Sequence, residues 1–479
     1  MPPLPLVSAL GCAVRFDAGE RPADEVDAIA RAWAGAAVRP EDGLPDRHLT
    51  VDVGPGAVTR ALARLSQAVT MAAIEARRGE LWMLHAGAVA DADGNVVAIV
   101  GPSGRGKTTA TRALAARYGY VSDETVAVAP DGAVLAYRKP LSIIEDPAGD
   151  KTQRSPAELG LGDLPAGPLR LSAIVLLDRD PGGPEQAEVV DCALVDVLPE
   201  LVEQTSYLGQ LPRPLAQIAA QARAVGGVRR VVYREASTLA DALAPLFRAP
   251  DTVSLDEHPS DAPATSPDRQ ADVAGVGEGV DSPGDRWFRA ATLDALAPDL
   301  AQDHAGFGRG TPGRMALLQP EVDGGATLRV IDGIGPVLWR AAAGATLTEL
   351  TAAVVAVHGT PSDGDAETAV AAALDALAAE GVLARDVSWR VGDDVAWTGD
   401  DDSFVALALA ADGSPEPVSL DGTAGVIWRV LAEARGATVD AIARAVAARA
   451  GVTADDIAGD VAAFLRSLAD RGLAQPFAP

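Results

Sequence analysis

The chain is 479 residues long and 48% hydrophobic, which supports about two to four domains with at least one sizeable core. Its 67 acidic residues against 40 basic ones give a formal net charge of −27, so nucleic acid is excluded as an expected partner. Two cysteines, Cys12 and Cys192, make neither a disulfide framework nor a zinc site. With no apolar run of ~18 residues and no basic lead-in at the N-terminus, the expectation is a cytoplasmic protein without a membrane partner.

In chain order, LGCAVRF and HLTVDV read as short strands, and Val58 to Arg78 carries apolar residues at helical spacing. A strand follows through Val96–Val100, then a helix from Lys107 to about Arg117, then apolar runs at VAVA, AVLAY and SAIVLLD. Leu194 to Ala224 reads as helical with a break at Leu211-Pro-Arg-Pro, and VRRVVYR reads as a late strand. This alternation predicts an α/β or α+β domain with a buried sheet over residues 1–248, its core in 80–248.

From 249 to 286 Asp, Pro, Ser and Gly replace any apolar period. Such a run buries too little surface to offset the entropy of ordering it, and it reads as a flexible acidic linker in which His258 is solvated. Beyond it the chain repeats itself. Asp332-Gly333, Val337, Trp339 and Arg340 match Asp421-Gly422, Val426, Trp428 and Arg429, each pair 89 residues apart. Both copies continue through Ala-Thr and two helices, ending at a Gly expected to stop the second helix, which predicts two small domains over 287–388 and 389–479. The equivalent placement of Trp339 and Trp428 predicts core packing for both.

Gly101, Pro102, Ser103, Gly104, Arg105, Gly106, Lys107, Thr108 and Thr109 fit G-x-x-x-x-G-K-[ST] between a strand and a helix. The glycines let successive N–H groups point inward at the helix N-terminus, forming an anion cradle. Lys107 supplies charge for the β- and γ-phosphates and Thr108 a hydroxyl for magnesium, so the expected ligands are ATP and Mg2+.

The acids decide what happens to the nucleotide. Asp123 and Glu124 end a short strand 16 residues beyond Lys107. If that strand lies beside the loop strand, one carboxylate holds magnesium and the other accepts the proton of an attacking hydroxyl. Asp178, closing the apolar run Ala173–Leu177, competes as the metal acid. His85, in an apolar setting before the loop strand, is a core residue or a catalyst, its position before the loop shifting the balance toward the second. Lys139 reads first as a solvated lysine beside a turn proline and second as a charge that neutralises phosphate, and Arg105 as an exposed loop residue.

LHAGAVA, the turn from Asp91, VVAIVGPSGRGKTT and YVSDE together resemble the nucleotide-binding core of the HPr kinase/phosphorylase-like family, specifically over 80–145 and loosely over 1–248. The resemblance implies His85 as phosphate neighbour, Lys107 and Thr108 as phosphate and magnesium contacts, Asp123 as metal-linked acid and Glu124 as base toward a serine hydroxyl. Glu124 stands where an Asp is usual, and Arg138-Lys139-Pro-Leu-Ser142 replaces the downstream signature of those kinases, so HPr itself is not the expected substrate. The stretch from Gly392 to Gln475 resembles the PqqD-like family of small winged-helix domains that hold leader peptides. That implies a peptide adding to a strand edge beside a helix.

Two functions follow as expectations. One is an ATP- and Mg2+-dependent kinase acting on a Ser/Thr hydroxyl of a peptide or small protein, such as a precursor peptide with its leader, captured by PqqD-like domains on a tether. The other is an ATP-binding switch that chaperones a peptide without phosphoryl transfer. ATP hydrolysis is a poorer third reading, since no arginine finger is assigned. The acceptor and any homo-oligomer are left open.

Overall fold

The computed structural model describes residues 4–38, 45–102, 104, 106–143, 152–248, 286–297, 313–321, 325–361, 365–385, 388–400, 403–409, 417–434, 436–469 and 471–477. The chain divides into two compact units, one built from Met1–Pro263 with Leu293–Pro312 and Pro320–Leu328, the other from Ala264–Thr292, Gly313–Gln319 and Arg329–Pro479. The stretch read as a linker lies, but for Arg286, outside the described residues, as does His258.

The first unit opens with β1 (Val7–Ala9) and β2 (Cys12–Asp17), helix α1 (Ala23–Trp33), β3 (Arg47–Asp52) and helix α2 (Val58–Ala76). Of these, α1 escaped the sequence reading. The helix α2 buries Ala61, Leu62, Leu65, Val69, Ala73 and Ile74, a stripe at three- and four-residue spacing. It packs into a cluster with Val14, Phe16 and Trp33, where Phe16 meets Trp33 edge-on at 5.1 Å between ring centres. Each such fully buried side chain contributes about 1.5–3 kcal/mol.

Next come β4 (Trp82–Leu84), β5 (Ala86–Ala90), β6 (Asn95–Val100), helix α3 (Lys107–Ala115), β7 (Gly119–Ser122), β8 (Val126–Val128), β9 (Val134–Leu135), β10 (Leu141–Ile143) and β11 (Thr152–Arg154). The unit continues with β12 (Arg170–Arg179), β13 (Glu188–Cys192), α4 (Leu194–Glu203), β14 (Thr205–Ser206), α5 (Pro214–Ala224), β15 (Val228–Tyr233) and α6 (Leu239–Leu243). Among the described residues a six-stranded mixed sheet runs β13-β15-β12-β6-β5-β7, with β12 parallel to both β6 and β15. The strand β5 is buried throughout and β12 is buried over Ser172–Leu177, as the continuous apolar runs require. Val97, Ile99, Val175 and Val231 pack with Ala110 and Leu114 of α3.

The strand β7 does not lie beside the loop strand, the condition under which the sequence reading has both acids face the phosphates. The turn Asp91–Gly94, where Asp91 Oδ1 accepts from the Asn95 N–H at 2.8 Å, folds β5 back antiparallel onto β6. That hairpin takes the edge of β6, and β7 pairs with β5 instead.

From Arg286 onward the chain repeats one plan, although Leu293–Pro312 and Pro320–Leu328 belong to the first unit. Strand β16 (Arg286–Arg289) is followed by β17 (Asp294–Leu296), β18 (Met315–Pro320), β19 (Ala326–Ile331), α7 (Gly335–Ala341), β20 (Ala343–Thr346), α8 (Leu347–His358), α9 (Ala366–Ala379) and β21 (Leu383–Arg385). The second pass runs β22 (Ser388–Val391), β23 (Val395–Asp400), β24 (Ser403–Ala408), β25 (Val418–Asp421), α10 (Thr423–Ala434), β26 (Ala437–Thr438), α11 (Val439–Ala450), α12 (Ala454–Ala469) and β27 (Ala474–Phe477). The sheets β20-β16-β21 and β26-β22-β27 are built alike. Thr346 and Thr438 cap equivalent helices, each accepting an N–H three residues on at 3.2 Å. Both copies stop their last helix on a glycine with positive φ, +70° at Gly381 and +69° at Gly472, with the next N–H returning to Leu377 or Leu468. Trp339 and Trp428 are both buried, as expected. Phe288 of the first copy packs edge-on against Trp389 of the second, in one cluster with Trp428.

Candidate functional site

Topology brings the candidate residues to one end of the six-stranded sheet. Ala86 pairs with Val100, so the start of β5 lies beside the end of β6, where the glycine loop leaves. The strand β7 runs antiparallel to β5 and ends toward that same place, and the Ala86 N–H donates to the Glu124 carbonyl at 3.1 Å. His85, between β4 and β5, therefore meets the acid pair although no sequence spacing connects them. His85 donates its own N–H to the Gln204 carbonyl at 2.7 Å.

The loop has the backbone its glycines permit: φ is +81° at Gly104 and +90° at Gly106, the left-handed region that a side chain disfavours. The Ala110 N–H bonds the Gly106 carbonyl at 2.9 Å, starting the helix directly behind the loop. Gly101 is buried, Pro102, Gly104 and Thr109 are exposed, and Gly106 and Thr108 are half-buried. Ser103 and Arg105 lie outside the described residues. The Tyr233 hydroxyl, from the end of β15, comes within 3.4 Å of where a side chain on Gly106 would begin. Gly87 has no room for one either, since a Cβ there would stand 2.0 Å from Thr111 Oγ1, so glycine lets α3 settle on β5.

Lys107 is buried and donates to the Gly101 carbonyl at 2.5 Å. Burial pushes its ammonium down, opposed by the Asp123 carboxylate. Burial also pushes His85 down, and Lys107 adds to this against the pull of Glu124 and Asp123, so its ring is neutral at neutral pH. Asp123 Oδ1 accepts from the Tyr120 hydroxyl at 2.9 Å. Thr70 donates to Glu124 Oε2 at 3.4 Å and shares a 2.9 Å hydrogen bond with the Tyr137 hydroxyl.

Lys139 corrects a second expectation. It is not solvated: with 5% of its surface exposed it stands 3.0 Å from Glu124 Oε2 and 3.5 Å from Asp123 Oδ1. Burial works against its charge, but the two carboxylates more than compensate and raise it. The signal was present in the sequence, a lysine inside the apolar stretch AVLAYRKPLSII. Tyr120 and Tyr137 lie in the same segments as Asp123 and Lys139, whereas nothing local announced Thr70 or Tyr233, which reach the site from α2 and β15.

Asp178 also ends its strand at this end of the sheet, two residues past the Leu176–Val100 pair. Its charge acts on Arg230, whereas Lys107 and His85 respond to the Asp123–Glu124 side. Among the described residues no cluster of three or more His, Cys, Asp or Glu side chains could hold a metal by itself, and no helix is long and apolar enough to cross a membrane.

In the second unit the meander β23-β24-β25 leaves β23 on an edge. Its Trp397 is 46% exposed, while the ring meets Phe404 at 5.8 Å and the fully buried Trp428 at 6.3 Å.

Residues 408–474 match the family of coenzyme PQQ synthesis protein D, PqqD. Among solved structures, the HPr(Ser) kinase/phosphatase from Coxiella burnetii is similar at 14% identity, covering 34% of this chain and 92% of that one, with a TM-score of 0.18. No curated protein matches the chain.

Proposed function

We propose that the chain is an ATP- and magnesium-dependent kinase that phosphorylates a serine or threonine hydroxyl of a peptide or small protein. In this reading the first unit is a P-loop domain of HPr kinase type, and the second supplies winged-helix PqqD-like modules that hold the substrate. The observation that carries it is the meeting of the glycine loop, Lys107, His85 and the acid pair at one sheet end. The PqqD match supports a peptide as substrate, with the open edge of β23 beside Trp397 as a place for an added strand.

The donors fit the ion, since the Thr108 hydroxyl and the Asp123 carboxylate are the hard oxygens magnesium prefers. Thr108 and Asp123 would hold the ion, which would supply positive charge against the phosphates. Lys107 adds a second positive charge from the loop. Glu124, 38% exposed, is more open to an incoming hydroxyl than Asp123, 7% exposed. It takes the hydroxyl proton while the acceptor oxygen bonds the γ-phosphorus and the bridging P–O bond to ADP breaks.

The test is incubation of the full chain with γ-labelled ATP, magnesium and candidate peptides. Transfer is expected with the native chain, and none with Lys107→Ala. Glu124→Gln is expected to keep nucleotide binding and lose transfer. A Lys107→Ala protein labelling its partner at the native rate would falsify the kinase reading. Nucleotide binding with no transfer by the native chain, and a peptide affinity that responds to nucleotide, would leave a switch that holds a peptide.

A further inference from the structure

Lys139 is buried between two carboxylates that the kinase reading already uses, and nothing in that reading gives it a task. Its segment is tied to the sheet: the Tyr137 N–H donates to the Val121 carbonyl at 3.1 Å, which sets Lys139 against the end of β7. From there its ammonium reaches one oxygen of each acid, Glu124 Oε2 and Asp123 Oδ1. Tyr120 takes the same oxygen of Asp123, and Thr70 the same oxygen of Glu124. Among the described residues no hydrogen bond or ion pair engages Asp123 Oδ2 or Glu124 Oε1.

The arrangement has two physical consequences. Two neighbouring carboxylates, one of them buried, repel each other unless a cation stands between them. An acid fixed through a single oxygen presents the other in a set direction. The charges also balance, with Lys107 and Lys139 against Asp123 and Glu124. Without Lys139 the cluster would carry net negative charge where a polyphosphate has to dock.

We propose that Lys139 is the positioning residue of the acid pair: it clamps one oxygen of each carboxylate, presents the other to the bound nucleotide and the acceptor, and cancels the charge that would repel phosphate. This rests on the nucleotide reading above, but the clamp itself can be measured without nucleotide.

The experiment uses the full chain with Lys139→Met, Lys139→Arg, Glu124→Gln and the double variant Lys139→Met/Glu124→Gln. In thermal unfolding without nucleotide, Lys139→Met is expected to lower the midpoint by several degrees and the double variant to recover much of that loss. Titration with a non-hydrolysable ATP analogue and magnesium is expected to show at least about a tenfold weaker affinity for Lys139→Met, partly restored by Lys139→Arg. Additive thermal effects would overturn the clamp, and an analogue affinity equal to native in folded Lys139→Met would reduce the lysine to a structural ion pair and overturn the proposal. Should Lys139→Met fail to fold, the charge-balanced double variant and Lys139→Arg carry the same comparison against Glu124→Gln. A native chain that binds no analogue would defeat the nucleotide reading, while the thermal cycle would still decide the clamp.

Discussion

The loop end of the first unit and the edge of the meander in the second break the ordinary rule of burial in opposite directions. One takes Lys107, Lys139 and Asp123 out of water, at 7%, 5% and 9% exposure; the other leaves an indole, Trp397, nearly half in it. Buried charge and exposed apolar surface are the informative exceptions in a folded chain, because neither helps it fold. The nearby Trp428 sharpens the contrast, since the same residue type within 6.3 Å is completely buried. Charge held inside suits a small, highly charged ligand. An apolar ring held at an open strand edge suits an extended one.

The largest effect on that contrast is expected from the charged side. Lys107→Ala removes the loop cation from a buried setting, and hydrogen bonds to charged groups contribute about 1.5–3 kcal/mol, so ATP affinity should fall by roughly ten- to a hundredfold. Isothermal titration would read it, with little change in thermal midpoint expected. If affinity holds, the buried lysine has some other purpose. Gly87→Ala tests the same region through packing alone. A Cβ at 2.0 Å from Thr111 Oγ1 forces α3 off β5, and overpacking of this kind costs about 1–3 kcal/mol, measurable by urea unfolding.

How much of this could be read from the sequence differs along the chain for physical reasons. The glycine loop was legible because its turn, with left-handed φ at Gly104 and Gly106, is made by consecutive residues adjacent in sequence. The repeat was legible through pairs such as Trp339 and Trp428 and through the terminal glycines, all local signals. The placement of β7 was not, because strand order depends on which edge of β6 is filled first, and the β5–β6 hairpin fills it. For Lys139 the apolar stretch around it hints at burial, but its two acid partners lie 15 and 16 residues away and no local pattern names them. Tyr120, which bonds Asp123, lies within the strand pattern of β7, and Thr70 lies on the buried face of α2, so neither stood out.

On the apolar side the expected effects are smaller. Trp397→Ala gives up edge-on contacts with Phe404 and Trp428, and such aromatic pairs contribute about 0.5–1.5 kcal/mol each, reduced here by exposure. Thermal unfolding should shift only slightly. Affinity for a captured peptide should fall about tenfold if the ring is a binding anchor, as aromatic side chains at interfaces often are. A shift in stability with unchanged peptide affinity would make Trp397 an edge cover and return the meander to a purely structural role.

The smallest expected effect returns to the charged end and concerns His85. Burial, then the Lys107 charge, lower its folded pKa, so below the unfolded value of about 6.5 the unfolded chain binds more protons at this residue than the folded one. Its contribution is fully present above that pH and is lost as pH falls toward the folded pKa. Without nucleotide, acidification from pH 7.5 to 5.5 should therefore destabilise the native chain more than His85→Asn, which has no proton to gain. The difference between the two unfolding curves isolates this one ring, because the other titrating groups are common to both. Parallel curves would mean that the ring meets solvent freely, and that the sheet end is less enclosed than the buried lysines imply.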